Sequence, residues 1–141
     1  MMHPLAEQQQ LKQILLKART IAVVGLSPKS SRPSHRVAAY LIGAGYTVVP
    51  VNPGQDEILG HKCYPNLDAV PVPVDVVDIF RSPRDVMPVV EAAVRIKAKV
   101  VWMQTGIVNR DAAASGEKAG LVVVMDRCIK TDHQNLVRMQ G

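Results

Sequence analysis

The fold of this chain is decided by Thr20-Ile21-Ala22-Val23-Val24-Gly25-Leu26-Ser27-Pro28-Lys29-Ser30-Ser31-Arg32-Pro33-Ser34. The stretch begins as an apolar, β-branched run, turns at Gly25 and continues as a short basic loop rich in hydroxyl groups. A helical pattern follows over residues 37–42, so the stretch predicts a strand, a loop and a helix. Such a junction directs backbone N–H groups and the positive end of the helix dipole towards the space above the strand, where phosphate fits.

The rest of the chain alternates between predicted strands and predicted helices. Strands are predicted at 21–25, 47–51, 74–80, 100–104 and 121–125, and helices at 5–18, 37–42, 66–70, 86–98 and 109–119. Ser34 is the predicted N-cap of the second helix, and Gly43 and Gly45 end it. The pattern predicts an α/β, Rossmann-like, doubly wound sheet of about five mainly parallel strands in three α/β/α layers.

Length and composition favour one domain over residues 1–141, with a leading helix over 1–18 and a polar C-terminal tail over 129–141. The hydrophobic share of 48% is that of an ordinary globular protein, and Val and Ala suit strands that are buried on both faces. The net charge of +5 favours an anionic partner. Because the basic residues are scattered and aromatic residues make up only 4%, nucleic acid is not the favoured partner.

Cysteine usage and hydropathy predict a cytoplasmic protein. Cys63 and Cys128 are the two cysteines, without a CxxC motif or paired Cys/His spacing, so we expect neither a disulfide framework nor a metal site. The N-terminus lacks the pattern of a signal peptide, and no apolar run approaches the roughly 18 residues that span a bilayer. We therefore predict neither export nor a membrane partner.

In a doubly wound sheet the ligand lies beyond the carboxyl ends of the strands, at the point where the strand order reverses. The first loop lacks GxGxxG, and Asn52-Pro53 stands where dinucleotide-binding enzymes place an acidic residue, which disfavours an NAD-linked dehydrogenase. A P-loop is absent as well. The loop therefore indicates a phosphate-bearing ligand of another kind, with a plain strand-to-helix turn as the alternative interpretation.

Five segments, taken in order, resemble one family. They are 21–27 (IAVVGLS), 51–54 (VNPG), 78–81 (DIFR), 102–107 (WMQTGI) and 124–128 (VMDRC). Together they resemble the small stand-alone CoA-binding proteins, which are similar to the N-terminal, CoA-binding domain of the succinyl-CoA synthetase α subunit. The resemblance extends over residues 14–136 and is specific as a set of segments.

The resemblance implies a Rossmann-like domain that binds coenzyme A or an acyl-CoA at the carboxyl ends of the strands. By analogy the pyrophosphate is contacted by Gly25, Ser27, Pro28, Lys29 and Arg32, and the adenosine by Val51, Asn52 and Pro53. The nucleotide is covered by Phe80, Arg81, Ser82 and Pro83, and the path of the pantetheine is lined by Gln104 and Gly106. Backbone donors and three nearby cations on a chain of charge +5 suit a ligand with several phosphates. A second copy of the chain or a partner CoA enzyme is the protein partner that we consider.

Two departures from the synthetase pattern limit what the resemblance implies. Gln55 stands where the synthetase domain has a lysine, which bears on recognition of the 3′-phosphate. The synthetase's phosphorylated histidine lies in a second domain that has no counterpart in this sequence. We therefore expect a binding role, as a carrier, sensor or partner, rather than ligase catalysis.

The alternatives are a small enzyme, which uses a reactive Cys128 or a nucleotide cofactor, and a nucleic-acid-binding Rossmann domain. Cys128 follows Arg127, whose charge would lower the pKa of a neighbouring thiol, and His133 would serve as its base. The default interpretation is that Cys128 is a small side chain packed at the end of a strand. Asp78 lies in an apolar strand, and we expect an arginine or a backbone N–H to satisfy it structurally.

Overall fold

A computed structural model describes residues 4–138 of the chain. Its helices are α1 (Pro4–Lys17), α2 (Pro33–Gly43), α3 (Val86–Arg95), α4 (Arg110–Lys118) and α5 (Ile129–His133). Its strands are β1 (Thr20–Val24), β2 (Thr47–Val51), β3 (Glu57–Ile58), β4 (His61–Lys62), β5 (Val76–Ile79), β6 (Val100–Met103) and β7 (Val122–Val124). The outermost residues of the predicted leading helix and tail, 1–3 and 139–141, lie outside this range.

The main sheet has five strands in the order β2-β1-β5-β6-β7, and all its pairings are parallel. The chain passes from β1 outward to β2 and returns to the other side of β1 at β5, so the order reverses between β1 and β5. This arrangement confirms the predicted Rossmann-like α/β fold and the five predicted strands. It also places the reversal of strand order, the usual position of a ligand crevice in doubly wound folds, at the β1–β5 boundary.

Helices cover both faces of the sheet. Leu15 of α1, Leu41 of α2 and Ile129 of α5 are buried in one core cluster. Val90 of α3 and Ala112 of α4 are buried in the other. The strands supply both clusters because successive side chains point to opposite faces, which gives the three predicted layers.

The part of the chain described differs from the sequence prediction in three places. The connection after β2 contains a two-stranded antiparallel hairpin, β3–β4, that was not predicted. The polar tail forms α5 and a π-helical turn over Gln134–Arg138. Helix α2 begins at Pro33 with Arg32 as its N-cap residue, so the predicted N-cap role of Ser34 is wrong. A proline at the first helical position needs no donor there, which moves the start upstream.

At the amino ends of the parallel strands, the amino edge of the sheet, Asp75 links β1 to β5. Its Oδ2 accepts hydrogen bonds from the backbone N–H groups of Arg19 and Thr20 at 2.9 and 3.0 Å. Its Oδ1 lies 3.6 Å from Lys99 Nζ. The start of β1 is thereby tied to the start of β5.

At the other edge, Trp102 is fully buried, and its indole Nε1 donates to the backbone carbonyl of Arg127 at 2.8 Å. This bond holds the turn after β7 against the sheet. None of the described helices has the length and the apolar character needed to cross a membrane.

Candidate functional site at the carboxyl edge of the sheet

Gly25 brings the ends of three strands together. It has a φ of 85°, and a Cβ at this position would lie 2.1 Å from the carbonyl oxygen of Phe80. Its N–H donates to Val51 at 2.9 Å, and the N–H of Phe80 donates to Val24 at 2.9 Å. No residue but glycine fits this junction without moving the backbone of β1 or β5.

The loop after Gly25 is held by hydroxyl groups. Ser34, which is buried, accepts a hydrogen bond from the backbone N–H of Ser27 at 3.0 Å through its Oγ. Ser27 Oγ in turn accepts from the N–H of Lys29 at 3.1 Å. The loop is therefore fixed by its own side chains, and Ser34 stabilises the loop rather than the helix end.

Two further side chains fasten the loop to its neighbours. Asn52, at the end of β2, donates from Nδ2 to the carbonyl of Leu26 at 2.7 Å. His35 Nδ1 lies 2.9 Å from the carbonyl oxygen of Ser27. The first of these explains why an amide, rather than a carboxylate, follows β2, since a carbonyl oxygen requires a donor.

Positive charge is left over at this edge. Lys29 and Arg32 are exposed and Arg81 is partly buried. Across residues 4–138, the ion pairs are Arg95–Asp68, Lys99–Asp75 and Arg127–Asp132, so none of these three cations at the edge is neutralised by a carboxylate. Unpaired cations next to a preformed loop make a site for an anion.

A cavity of about 250 Å³ opens beside the ends of β1 and β2. Its apolar floor comes from the strands, and its walls come from the connection after β4 and from α3. It is lined by Val24, Val51, Pro65, Asn66, Leu67, Asp68, Arg81, Pro88, Val89, Ala92 and Arg95. Arg95 and Asp68 form an ion pair of 2.9 Å at its rim.

Among the predicted site residues, this cavity is lined by Val51 and Arg81. The residues that sequence reasoning missed, such as Asn66 and Val89, lie in a connection without periodicity and on a helix face. The length of the connection from 55 to 74 was their one signal, because long connections tend to carry ligand contacts.

The remaining predicted site residues follow β5 and β6. Gln104 is buried, and its Oε1 accepts from the N–H of Ile129 at 3.1 Å. The N–H of Gly106 donates to Asp126 Oδ1 at 2.7 Å. Ser82 and Pro83 are exposed in the turn that begins α3. Thirteen of the fourteen predicted residues follow β1, β2, β5 or β6, and Val51 is the last residue of β2, so the fold brings them to one edge. The contacts assigned to each remain predictions.

Cys128 lies in the turn after β7 and is partly buried. Burial raises the pKa of its thiol, but hydrogen bonds from Thr131, from the Gln104 side chain and from the Lys130 backbone outweigh it, so that pKa lies below its ordinary value. The predicted cause is wrong: the guanidinium of Arg127 is paired with Asp132, at 2.8 Å for both contacts.

His133 is held by two aromatic side chains, one in α2 and one shortly after it. Its Nδ1 lies 2.8 Å from the hydroxyl of Tyr40, and its ring packs edge-on against Tyr40 and Tyr46. Burial lowers the pKa of this imidazole. His133 therefore joins α5 to α2, an arrangement that does not support its predicted service as the base of Cys128.

The surroundings of Asp78 contradict the prediction that a protein group satisfies its carboxyl. Its side chain is fully buried on β5, and neither carboxyl oxygen has a hydrogen-bond partner among the residues described. Burial, and secondarily the nearby thiol of Cys128, raises the pKa of this carboxyl well above its ordinary value. No arginine or backbone N–H within residues 4–138 satisfies it.

The crevice at the reversal of strand order, with its glycine junction and basic loop, defines the class: a doubly wound α/β protein with its candidate site at the carboxyl edge of a parallel sheet. The sequence model of the CoA binding domain family matches residues 19–134. The chain belongs to this family.

Relatives of known sequence or structure support the assignment. The chain is 40% identical over 124 residues to the uncharacterized protein YneT of Bacillus subtilis (strain 168), covering 88% of this chain and 92% of that protein. A solved structure of a hypothetical protein from Pyrococcus horikoshii OT3 has a TM-score of 0.90 at 42% identity and covers 92% of each chain.

A larger relative links the chain to ligases. It is 29% identical over 126 residues to acetate–CoA ligase [ADP-forming] I of Archaeoglobus fulgidus, covering 82% of this chain but 18% of that protein. The resemblance to the CoA-binding domain of the succinyl-CoA synthetase-like enzymes is thereby confirmed, although the chain matches a small part of the ligase.

Proposed function

We propose that this protein binds coenzyme A or an acyl-CoA across the carboxyl edge of the sheet, centred on the boundary between β1 and β5. The observation that carries the proposal is the preformed loop over 25–34, where Lys29 and Arg32 have no ion pair among the described residues, together with a cavity of about 250 Å³ that Arg81 lines, in a chain of the CoA binding domain family. The loop supplies the anion site and the cavity supplies an apolar site next to it.

The pyrophosphate is assigned to the loop and the start of α2. Lys29 and Arg32 extend from a loop whose backbone is fixed, so little conformational entropy is lost there when an anion binds. The first turn of α2 adds the positive end of a helix dipole. Charge-assisted hydrogen bonds to phosphate contribute about 1.5–3 kcal/mol each.

The adenosine is assigned to the cavity, next to Val51, Asn52 and Pro53. Its volume of about 250 Å³ is below the roughly 300–1,000 Å³ of pockets that enclose a whole drug-sized ligand. It therefore suits one moiety of CoA rather than the entire molecule. Arg81 lies at its wall and would contact a phosphate on the ribose, since Gln55 supplies no charge.

The pantetheine is assigned to the path over the ends of β5 and β6, along Phe80, Ser82, Pro83, Gln104 and Gly106. This path leads from the loop after β1 towards the turn after β7, because β5 and β6 lie between those strands. The role that fits is a carrier, a sensor or a partner of a CoA enzyme, in the cytoplasm and without a ligase step. Leu16 on α1, which is 53% exposed, is an apolar contact for a second copy or such an enzyme.

Isothermal titration calorimetry tests the proposal with CoA, 3′-dephospho-CoA, ATP and NAD. We expect the wild-type protein to prefer CoA and the double variant Lys29→Ala/Arg32→Ala to lose about tenfold affinity or more. The matched control is Lys118→Ala, which removes a charge from the exposed end of α4 and should bind CoA as the wild type does.

The outcomes separate the parts of the proposal. Arg81→Ala should weaken CoA more than dephospho-CoA if Arg81 meets the 3′-phosphate. Absence of CoA binding by protein shown by mass spectrometry to carry no ligand would overturn the proposal. Equal losses in the loop variant and in Lys118→Ala would show that the net charge, rather than the loop, holds the ligand.

A further inference from the structure

Four side chains with polar or sulfur atoms meet on one face of the sheet, close to its carboxyl edge. Asp78 on β5 is paired in register with Trp102 on β6, so both side chains point to the same face. Gln104 lies two residues beyond Trp102 and therefore on that face as well. The indole of Trp102 is bonded to the carbonyl of Arg127, which places Cys128 next to them.

The stability of the fold does not explain why an aspartate occupies position 78. A carboxyl group that is fully buried without a hydrogen-bond partner costs several kcal/mol relative to its solvated state. An apolar residue at this position would avoid that cost and match the valines around it. A group of this kind in a site next to a ligand path is a candidate for chemistry.

Cys128 is built differently from the other cysteine. Gln104 accepts a hydrogen bond from the N–H of Ile129, the residue after Cys128, and its side chain, Thr131 and the Lys130 backbone lower the pKa of the Cys128 thiol against the opposing effect of burial. Cys63 is buried, and burial raises the pKa of its thiol. Of the two cysteines, Cys128 is therefore the one whose thiol ionises more readily to the nucleophilic thiolate.

We propose that Cys128 exchanges with disulfides of coenzyme A, so that the protein holds CoA as a mixed disulfide, and that Asp78 donates the proton that the departing thiol requires. The proposal rests on the CoA-binding function, because the assigned pantetheine path includes Gln104, whose Oε1 is hydrogen-bonded to the N–H of Ile129, the residue after Cys128. It extends that function from reversible binding to covalent retention of CoA.

The step is balanced without a further reactant. The Cys128 thiolate attacks one sulfur of the CoA disulfide, a new S–S bond forms to that sulfur, and the original S–S bond breaks. The electron pair leaves with the second sulfur, which takes the proton of the Asp78 carboxyl and departs as free CoA thiol. Cys128 is oxidised, the departing thiol is the reduced product, and Asp78 regains a proton equivalent to the one that the Cys128 thiol released on ionising.

The surroundings of Cys128 suit a disulfide better than a thioester as the electrophile. Gln104, Thr131 and Lys130 lower the pKa of the thiol and so favour charge on the sulfur before the attack. Attack on a thioester would develop charge on a carbonyl oxygen, which requires donors at that oxygen instead.

Intact-protein mass spectrometry with CoA disulfide as the probe tests the proposal. We expect the reduced wild-type protein and Cys63→Ser to gain one CoA per chain, and Cys128→Ser to gain none. The gain should be at least about tenfold faster with CoA disulfide than with glutathione disulfide if the bound nucleotide positions the sulfur. Peptide mapping should place the adduct on Cys128.

The role of Asp78 is tested with two disulfides whose leaving groups differ in their need for a proton. Asp78→Asn should slow exchange with CoA disulfide about tenfold or more, because the departing alkyl thiolate then lacks its proton donor. It should leave exchange with 5,5′-dithiobis(2-nitrobenzoate) unchanged, because that thiolate departs without a proton. Equal slowing with both reagents would assign Asp78 a structural effect and overturn its role.

Titration with reduced CoA separates this proposal from the one on which it rests. Normal binding of reduced CoA by the wild type and by Cys128→Ser, without an adduct from CoA disulfide, would overturn the exchange and leave CoA binding intact. Failure of reduced CoA to bind would overturn both. Acetylation of Cys128 by acetyl-CoA that is faster than disulfide exchange would assign thioester chemistry and overturn the choice of a disulfide.

Discussion

Asp75 and Asp78 lie three residues apart, one before β5 and one within it, and their surroundings are opposite. Asp75 accepts from two backbone N–H groups and lies beside Lys99. Partial burial raises the pKa of Asp75, but these partners outweigh it, so that pKa lies below its ordinary value. Asp78 has no partner among the described residues, and burial raises its pKa.

The difference separates an edge whose charged groups the fold satisfies from an edge where charged or polar groups are left without partners. At the amino edge, the charges of Asp75 and Lys99 are satisfied by each other and by the backbone. At the carboxyl edge, Lys29, Arg32 and Asp78 are left without partners in the part of the chain described. Polar groups left unsatisfied by the fold are the ones that a ligand can satisfy.

The largest effect is expected from a single methyl group at the carboxyl edge. Gly25→Ala places a Cβ 2.1 Å from the Phe80 carbonyl oxygen, and we expect a loss of about 3 kcal/mol or more in unfolding free energy. Gly120→Ala, at the amino edge, shares a positive φ of 95° but meets no atom within 4 Å among the described residues. It should cost about 1 kcal/mol in urea unfolding. Equal costs would show that backbone conformation alone, rather than the close approach of β5, requires glycine.

Asp78→Asn should change how stability depends on pH. Above the ordinary pKa of 3.8, folded Asp78 keeps a proton that the unfolded chain releases, so wild-type stability falls as pH rises, by at most about 1.4 kcal/mol per pH unit. The variant should lack this fall between pH 4 and the raised folded pKa. Urea unfolding at several pH values measures it, with Asp111→Asn on the surface as the control. An unchanged slope would contradict the burial of a protonated carboxyl.

Asp75→Asn should act with the opposite sign. Its folded pKa lies below 3.8, so its contribution is present above that value and is lost as pH falls through the folded pKa. We expect the variant to lose about 1–2 kcal/mol at pH 7 and to show a smaller loss of stability on acidification than the wild type. The CoA affinity of the variant should equal that of the wild type. A lower affinity would contradict the distinction drawn between the amino and carboxyl edges.

Ser34→Ala is expected to have the smallest effect on stability and a separate effect on binding. Loss of the acceptor for the Ser27 N–H should cost about 1 kcal/mol in thermal unfolding. Calorimetry should show CoA affinity falling severalfold because the loop is no longer fixed. Ser31→Ala, an exposed position of the same loop, is the control and should leave stability unchanged. Unchanged affinity in Ser34→Ala would show that loop order does not contribute to binding.

The fold was predictable because its sequence signals, the strand and helix patterns, recur along the whole chain. Five apolar runs separated by helical patterns admit few arrangements other than a doubly wound parallel sheet. The β3–β4 hairpin was missed because strands of two residues carry no periodicity. The tail was missed because α5 is short and its buried residues include Asp132 and His133, whose polar side chains gave the segment no apolar periodicity.

The sequence predicts which edge of the sheet carries the candidate site better than it predicts the contacts of the individual residues there. Parallel strands bring their carboxyl ends together whatever the loops contain, so residues that follow them could be named. Ser34 was misassigned because the pattern for an N-cap does not distinguish a hydroxyl that serves a helix from one that serves the preceding loop. Asp78 was misjudged because a sequence does not show whether a buried carboxyl finds a partner.

The bond from Trp102 to the Arg127 carbonyl gives the protein its own optical reporter. Trp102 is the single tryptophan of the chain, so all indole fluorescence arises from a ring that touches the turn carrying Cys128. The emission of a buried indole depends on the polarity and the dipoles around it. Events at that turn are therefore visible in the native, unlabelled protein, with a signal that originates at one known position.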